Sequence, residues 1–254
     1  MFYFDRLNDK RGLLSYISMN KSLKIEIPQA LNAIKLKEYQ KYLSIVEQNK
    51  DAESPELVNL KALEIFCGLT LKEAYGLKVT DFNFILDHLN NLFEQKTPLV
   101  QRFRLKGTDD VEVEFGFMPK LEDITAGEFI DLDSYLGDWK NMHKAMAILY
   151  RPVVFEKRGR YLIEEYEGSD KYAHIMEDMP VDVAIGAMVF FYRLGNELSR
   201  HMIASLEKEL KNPQITPLKR ALEENGVGTT RFTQSLREMR QSLTKLQNLG
   251  LPNF

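Results

Sequence analysis

Between Ser22 and Ile27 the apolar residues Leu23, Ile25 and Ile27 alternate with Lys24 and Glu26, the period of a strand buried on one face, and Pro28 closes it. The period then lengthens. From Lys35 to Val46 the apolar positions Leu36, Tyr39, Leu43 and Val46 fall on one helical face. Ser54 and Pro55 supply an N-cap and a first-turn proline for a helix through Leu57, Leu60, Leu63 and Phe66, and Gly68 ends it. Thr70 and Glu73 have capping-box spacing for a short helix. Asp81 to Phe93 predicts another, with Phe82, Ile85, Leu86, Leu89 and Leu92 inward.

After Pro98 alternation returns. Phe103 and Leu105, then Val111, Val113 and Phe115, flank the turn-forming Gly107-Thr108-Asp109-Asp110 and predict a β-hairpin. The pattern from Thr125 to about Tyr150 is helical. Pro152 opens a second candidate hairpin, in which Val153, Val154 and Phe155 lead through Lys157-Arg158-Gly159 to Tyr161 and Ile163. From Val181 onward helices are expected to about Lys211, around Leu218 to Glu224, and from Thr230 to Leu249. In the last, Phe232, Leu236, Met239, Leu243 and Leu246 form a narrow stripe of the coiled-coil type, which wants a partner helix.

The expected fold class is α+β, mainly helical, with short antiparallel β-hairpins and a long C-terminal helical part. Three regions are delimited: 1–97, 98–180 and 181–254, closely joined and compatible with one continuous domain, since no Gly/Ser linker separates them. One internal similarity stands out. Leu31, Ile34, Glu38 and Tyr39 match Leu121, Ile124, Glu128 and Phe129 in spacing, each set after a strand that ends in proline, with a weaker echo at Leu69 to Ala74. Independent strand-to-helix junctions, where a staple, a cap and a glutamate are each favoured, account for this, as would a duplication.

Composition narrows the function classes. With 44% hydrophobic and 28% charged residues, the 254-residue chain has the makeup of a folded protein. Its 34 basic and 37 acidic residues leave a net charge of −3 without the global basic field of a phosphate-backbone binder, so sequence-specific nucleic acid is not an expected partner. The single cysteine, Cys67, sits in an apolar stretch and reads as core filler. The N-terminal residues lack a secretion-signal pattern, and Val183 to Leu194 is too short to span a bilayer, so assembly in a cytoplasm is expected.

Candidate chemistry is sparse. His88, His143, His174 and His201 have no neighbour at metal-ligand spacing. The acidic set Glu122, Asp123, Glu128, Asp131, Asp133 and Asp138 fits no cation loop and reads as solvated helix-start charge. Glu164, Glu165 and Glu167 read as an exposed or interface edge. Arg151, Lys157, Arg158 and Arg160 could touch phosphate but lie beside glutamates, where local ion pairs are the commoner outcome. Gly226-Val227-Gly228 is a loop rather than a nucleotide motif, and no nucleophile motif occurs. No catalytic, cofactor-binding or metal-binding residue is assigned.

What remains is apolar surface. Met188 to Tyr192 are consecutive apolar residues that surround a helix, buried either in the core or against a neighbour. Val183, Met188, Phe190 and Phe191, with Phe232, Leu236, Met239, Leu243 and Leu246, are the interface candidates.

The segment Ile124 to Val153 begins ITAGEFIDLD and continues through His143-Lys144-Ala145-Met146-Ala147 to Leu149-Tyr150-Arg151-Pro152. It resembles a segment of proteins from the structural gene blocks of tailed bacteriophages, short-tailed crAss-like phages of Bacteroidetes in particular. Met179 to Leu198 is similar to that family's second apolar block. The resemblance covers about a third of the chain and implies a virion component assembled in the host bacterial cytoplasm. The roles it implies are a ring or connector subunit of the portal-tail region, a capsid or tail cargo protein, or a tail assembly chaperone. Each acts through itself and neighbouring portal or tail proteins. A phage nuclease or hydrolase is the rival from another class.

Overall fold

The computed structural model describes residues 4–5, 11–18, 21–50, 56–107 and 111–194. The chain divides into two compact units, residues 1–186 and 187–254, so the regions 1–97 and 98–180 share one unit. The fold is α+β and mainly helical, with antiparallel sheets. The cap at Ser54-Pro55, the turn tip Thr108 to Asp110, His201, the 226–228 loop and the stripe Phe232, Leu236, Met239, Leu243 and Leu246 lie outside the described residues.

Strands β1 (Phe4–Asp5), β2 (Arg11–Ser18) and β3 (Lys21–Pro28) form a three-stranded antiparallel sheet in sequence order. The alternation marks β3, whose Ile25 and Ile27 are buried. Its partner β2 escaped the sequence reading because RGLLSYIS does not alternate cleanly. Helices α1 (Leu36–Gln48), α2 (Glu56–Cys67), α3 (Leu71–Tyr75) and α4 (Val79–Phe93) follow. Gly68, at φ 68°, ends α2 in the left-handed conformation that a side chain resists. Leu60, Leu63, Phe66 and Cys67 are buried, whereas Leu57, expected on the same stripe, is exposed. One aromatic cluster knits these helices, with Phe66 beside Tyr42 and Phe93, and Tyr39 between Phe93 and Trp139.

Both predicted hairpins form: β4 (Arg102–Lys106) with β5 (Glu112–Phe117), and β6 (Tyr150–Lys157) with β7 (Arg160–Ile163). They join through Phe115, Gly116 and Phe117 of β5 opposite Pro152, Arg151 and Tyr150 of β6, giving a four-stranded sheet in the order β4-β5-β6-β7. The helical stretch inserted between the hairpins is broken. Helix α5 (Ala126–Tyr135) stops before Gly137, at φ 98°, and Asp138 caps a 3₁₀ turn (Trp139–Asn141) that leads into α6 (Met142–Leu149). Phe103 and Phe117 pack edge-on against the buried Tyr150, whose hydroxyl donates to the Val100 carbonyl at 2.8 Å. Helix α7 (Asp170–Met176) follows, and residues 181–194 are helical.

The β6–β7 turn is two residues long. Arg158 at φ 52° and Gly159 at φ 75° both occupy the left-handed region, as a type I′ turn requires. Arginine is costly there. Replacing Arg158 with asparagine should stabilise the fold by about 1 kcal/mol, read as a raised urea midpoint with unchanged slope.

Candidate functional site

Three helices start with the same device. The Glu38, Glu73 and Glu128 carboxylates accept from the backbone N–H of Lys35, Thr70 and Thr125 at 2.8, 2.8 and 2.7 Å. The matched segments near 31–39 and 121–129 each run strand, 3₁₀ turn, helix. Their matched aromatic positions differ, since Tyr39 is buried and Phe129 exposed. At the start of α1, moreover, the Leu36 and Lys37 N–H groups donate to the Met179 and Glu177 carbonyls at 2.8 and 2.9 Å, and Asp178 bridges Lys35 and Lys37.

At α5 the capping glutamate has a second task. Glu128 is buried, and its Oε1 meets Nη2 of the equally buried Arg151 at 2.7 Å, while its Oε2 accepts from the Thr125 N–H and hydroxyl, both at 2.7 Å. The Arg151 guanidinium also lies over the Tyr166 ring, 5.6 Å from its centroid. Glu128 is thus no solvated helix-start charge. Arg151 is ion-paired, but to this residue distant in sequence rather than to one of the neighbouring glutamates, where a local pair was expected. This pair joins the Thr125 to Asp133 and Leu149 to Pro152 parts of the chain, helix start to strand. With both carboxylate oxygens engaged, Glu128 has a positioning task rather than an acid-base one.

The other acidic residues are dispersed. Asp131 accepts from the Tyr166 hydroxyl, Asp138 caps its 3₁₀ turn, and Asp123 lies near Lys120 at 3.5 Å. Glu164 and Glu167 follow β7 and pair with Lys171 at 3.1 and 2.6 Å. Among the described residues no three His, Cys, Asp or Glu side chains are grouped to hold a metal ion, and no helix is long and apolar enough to cross a membrane. His88 meets the Pro28 carbonyl at 2.9 Å, and Gln40 donates to His143 Nδ1 at 3.1 Å.

Burial pushes the Glu128 carboxyl up, but the Thr125 donors and the Arg151 guanidinium outweigh it and hold the group below its ordinary 4.5. Burial likewise opposes ionisation of Asp178, and Lys35 with Lys37 reverse it, holding that carboxyl below 3.8. Burial lowers His143 below 6.5. All three folded values lie below the unfolded ones, so each contribution is complete above the unfolded value and lost on acidification. The urea midpoint, read by the buried Trp139, should fall first below about pH 6.5 and again below about pH 4.5. A midpoint flat from pH 7 to 4 would contradict these environments.

The interface candidates meet different fates. Val183 and Met188 are 2% and 0% exposed. Phe190 and Phe191 are half-buried and pack edge-on, with centroids 5.3 Å apart. Exposed apolar surface lies elsewhere. Phe129 and Ile130 on α5 are 59% and 63% exposed, and Val154, Phe155 and Leu162 on the β6–β7 hairpin are 61%, 53% and 59% exposed. Phe155 and Leu162 are cross-strand partners. The sequence placed Val154 and Phe155 on a hairpin strand and Phe129 and Ile130 on a helix without assigning either element an outward face. No local signal set them apart, since both members of Phe129-Ile130 and of Val154-Phe155 reach solvent.

Beside this hairpin lies a groove of about 690 Å³, lined on one side by β7 and on the other by Met118, Pro119, Lys120 and Asp123, with Arg151 and Glu128 also in its wall. Compared with known proteins, the chain matches no family model, no curated protein and no solved structure.

Proposed function

We propose that this chain is a non-enzymatic structural component of a tailed-phage particle, a ring or connector subunit of the portal-tail region acting through self-association and neighbour contacts. The observation that carries the interaction reading is the large apolar side chains left in solvent on α5 and on the β6–β7 hairpin. Phe129 and Ile130 lie inside the phage-like segment, and the hairpin begins at its end. The phage assignment itself rests on the resemblance over Ile124 to Val153. A ring needs heterologous surfaces repeated by symmetry, and apolar groups on two separate elements suit such head-to-tail contacts.

Light scattering tests self-association. A concentration-dependent or closed oligomer, alone or with neighbouring tail proteins, is expected, and Phe129→Ser/Ile130→Ser should weaken it without unfolding the chain. A strictly monomeric chain under both conditions would contradict the ring. Assembly chaperone and cargo protein are the remaining roles for the same surfaces, distinguished by absence from, or low copy number in, the finished particle.

A further inference from the structure

The β6–β7 hairpin carries three cations at its turn, Lys157, Arg158 and Arg160. All are exposed, and none has an ion pair among the described residues, whereas Glu156, on the same hairpin, pairs with Arg102 at 2.7 Å. Arg158 holds the left-handed turn position that asparagine or glycine would occupy at lower cost. A local rule broken without a structural return marks a position kept for contact rather than for folding. Directly below the cations, Phe155 and Leu162 form an exposed apolar pair across the strands.

Strand β7 ends the sheet among the described residues. Five consecutive residues, Gly159 to Ile163, line the groove. Side chains of successive strand residues point to opposite faces, so a hollow touched by all five follows the backbone edge of the strand. In a two-residue hairpin the residues flanking the turn exchange hydrogen bonds and the next pair does not, which turns the N–H and C=O of Tyr161 toward that open edge. The Tyr161 side chain is held away from the edge, across Gly116, with its hydroxyl donating to the Phe117 carbonyl at 2.7 Å.

We infer that this edge receives a short extended segment of a partner protein that adds as a strand to β7 and carries, on one of its two faces, carboxylates toward the hairpin turn and then apolar residues, because Lys157 and Arg160 share a face with Phe155 and Leu162. Backbone pairing along the four residues of β7 supplies register. Carboxylates of the segment meet Lys157, Arg158 and Arg160, and its apolar residues cover Phe155 and Leu162. A long polyanion such as nucleic acid fits less well, because Asp123 lines the groove and the exposed Phe155 and Leu162 offer phosphates nothing to pair with. The inference rests on the interaction reading above but not on the phage assignment, and it names the partner's chemistry.

The probe is a fluorescein-labelled eight-residue peptide in which serine alternates with two glutamates and then two valines, so that glutamates and valines share one face, titrated with the full chain and followed by anisotropy. Saturable binding that weakens with added salt is expected. The triple variant K157Q/R158N/R160Q, whose exposed positions and turn geometry leave the fold intact, should weaken it at least about tenfold. N-methylation of one alternate set of peptide N–H groups should abolish binding, and methylation of the other set should be tolerated, because only one set faces β7. Absence of saturable binding, tolerance of both methylated peptides, or preference for a single-stranded oligonucleotide of equal charge would each overturn the inference. None of these outcomes bears on whether the chain self-associates, so the two readings fail separately.

Discussion

Replacing Arg151 with methionine should destabilise the chain by about 3–5 kcal/mol, because it leaves the Glu128 carboxylate buried with a missing counter-charge. Methionine keeps most of the volume, so the loss reports charge rather than a cavity. The double variant Glu128→Gln/Arg151→Met should recover a large part of the loss. Glutamine still accepts from the Thr125 N–H, and no isolated charge remains. A urea-unfolding cycle over the two single variants and the double variant measures the coupling directly. Additive effects would mean that the two side chains do not depend on each other. The pair ties the start of α5 to β6, so its loss should also open the wall of the groove beside β7.

Gly186→Ala should reverse the usual sign. In a helix interior alanine is about 1 kcal/mol better than glycine. Here a methyl group at residue 186 would come within 2.3 Å of the Pro98 carbonyl oxygen, a backbone atom that cannot rotate away. The helical residues must shift from the 98–99 segment, and destabilisation of about 1–3 kcal/mol is expected in urea unfolding. By contrast, an added methyl at Gly116 would meet side chains, the Tyr161 ring and Val153, rather than backbone. If Gly186→Ala stabilised the chain, the close approach of this helix to Pro98 would be wrong.

The elements that sequence revealed are those whose signals are local. Alternation at Ile25 and Ile27 marked β3, the Thr70–Glu73 box marked α3, and Gly159 marked the tight turn of the second hairpin. What escaped it depended on distance along the chain. The union of two hairpins into one sheet runs through Gly116 and Arg151, with α5 and α6 intervening, and no local period encodes such a pairing. For the same reason Glu128 read as a surface charge and Arg151 as part of a basic turn. Only the fold brings them together in a dry place. The stop at Gly137 was legible in principle, but the apolar positions on both sides kept helical spacing and masked it.

Interface candidates show the same contrast. Val183 and Met188 belong to an apolar helical stretch for which the sequence allows burial in the core or against a neighbour, and they are buried. Large apolar residues that reach solvent include both members of the doublets Phe129-Ile130 on α5 and Val154-Phe155 on β6, and Leu162 on the projecting hairpin. Apolar character alone does not separate core from interface; position relative to the face already buried does.

The proposal that this chain is built into a phage particle is tested most directly by quantitative mass spectrometry of particles purified from the infected host. A ring or connector subunit predicts the chain in mature particles at a fixed copy number comparable with other portal-tail proteins. Its absence from particles, with abundance in the same infected cells, would contradict the structural role.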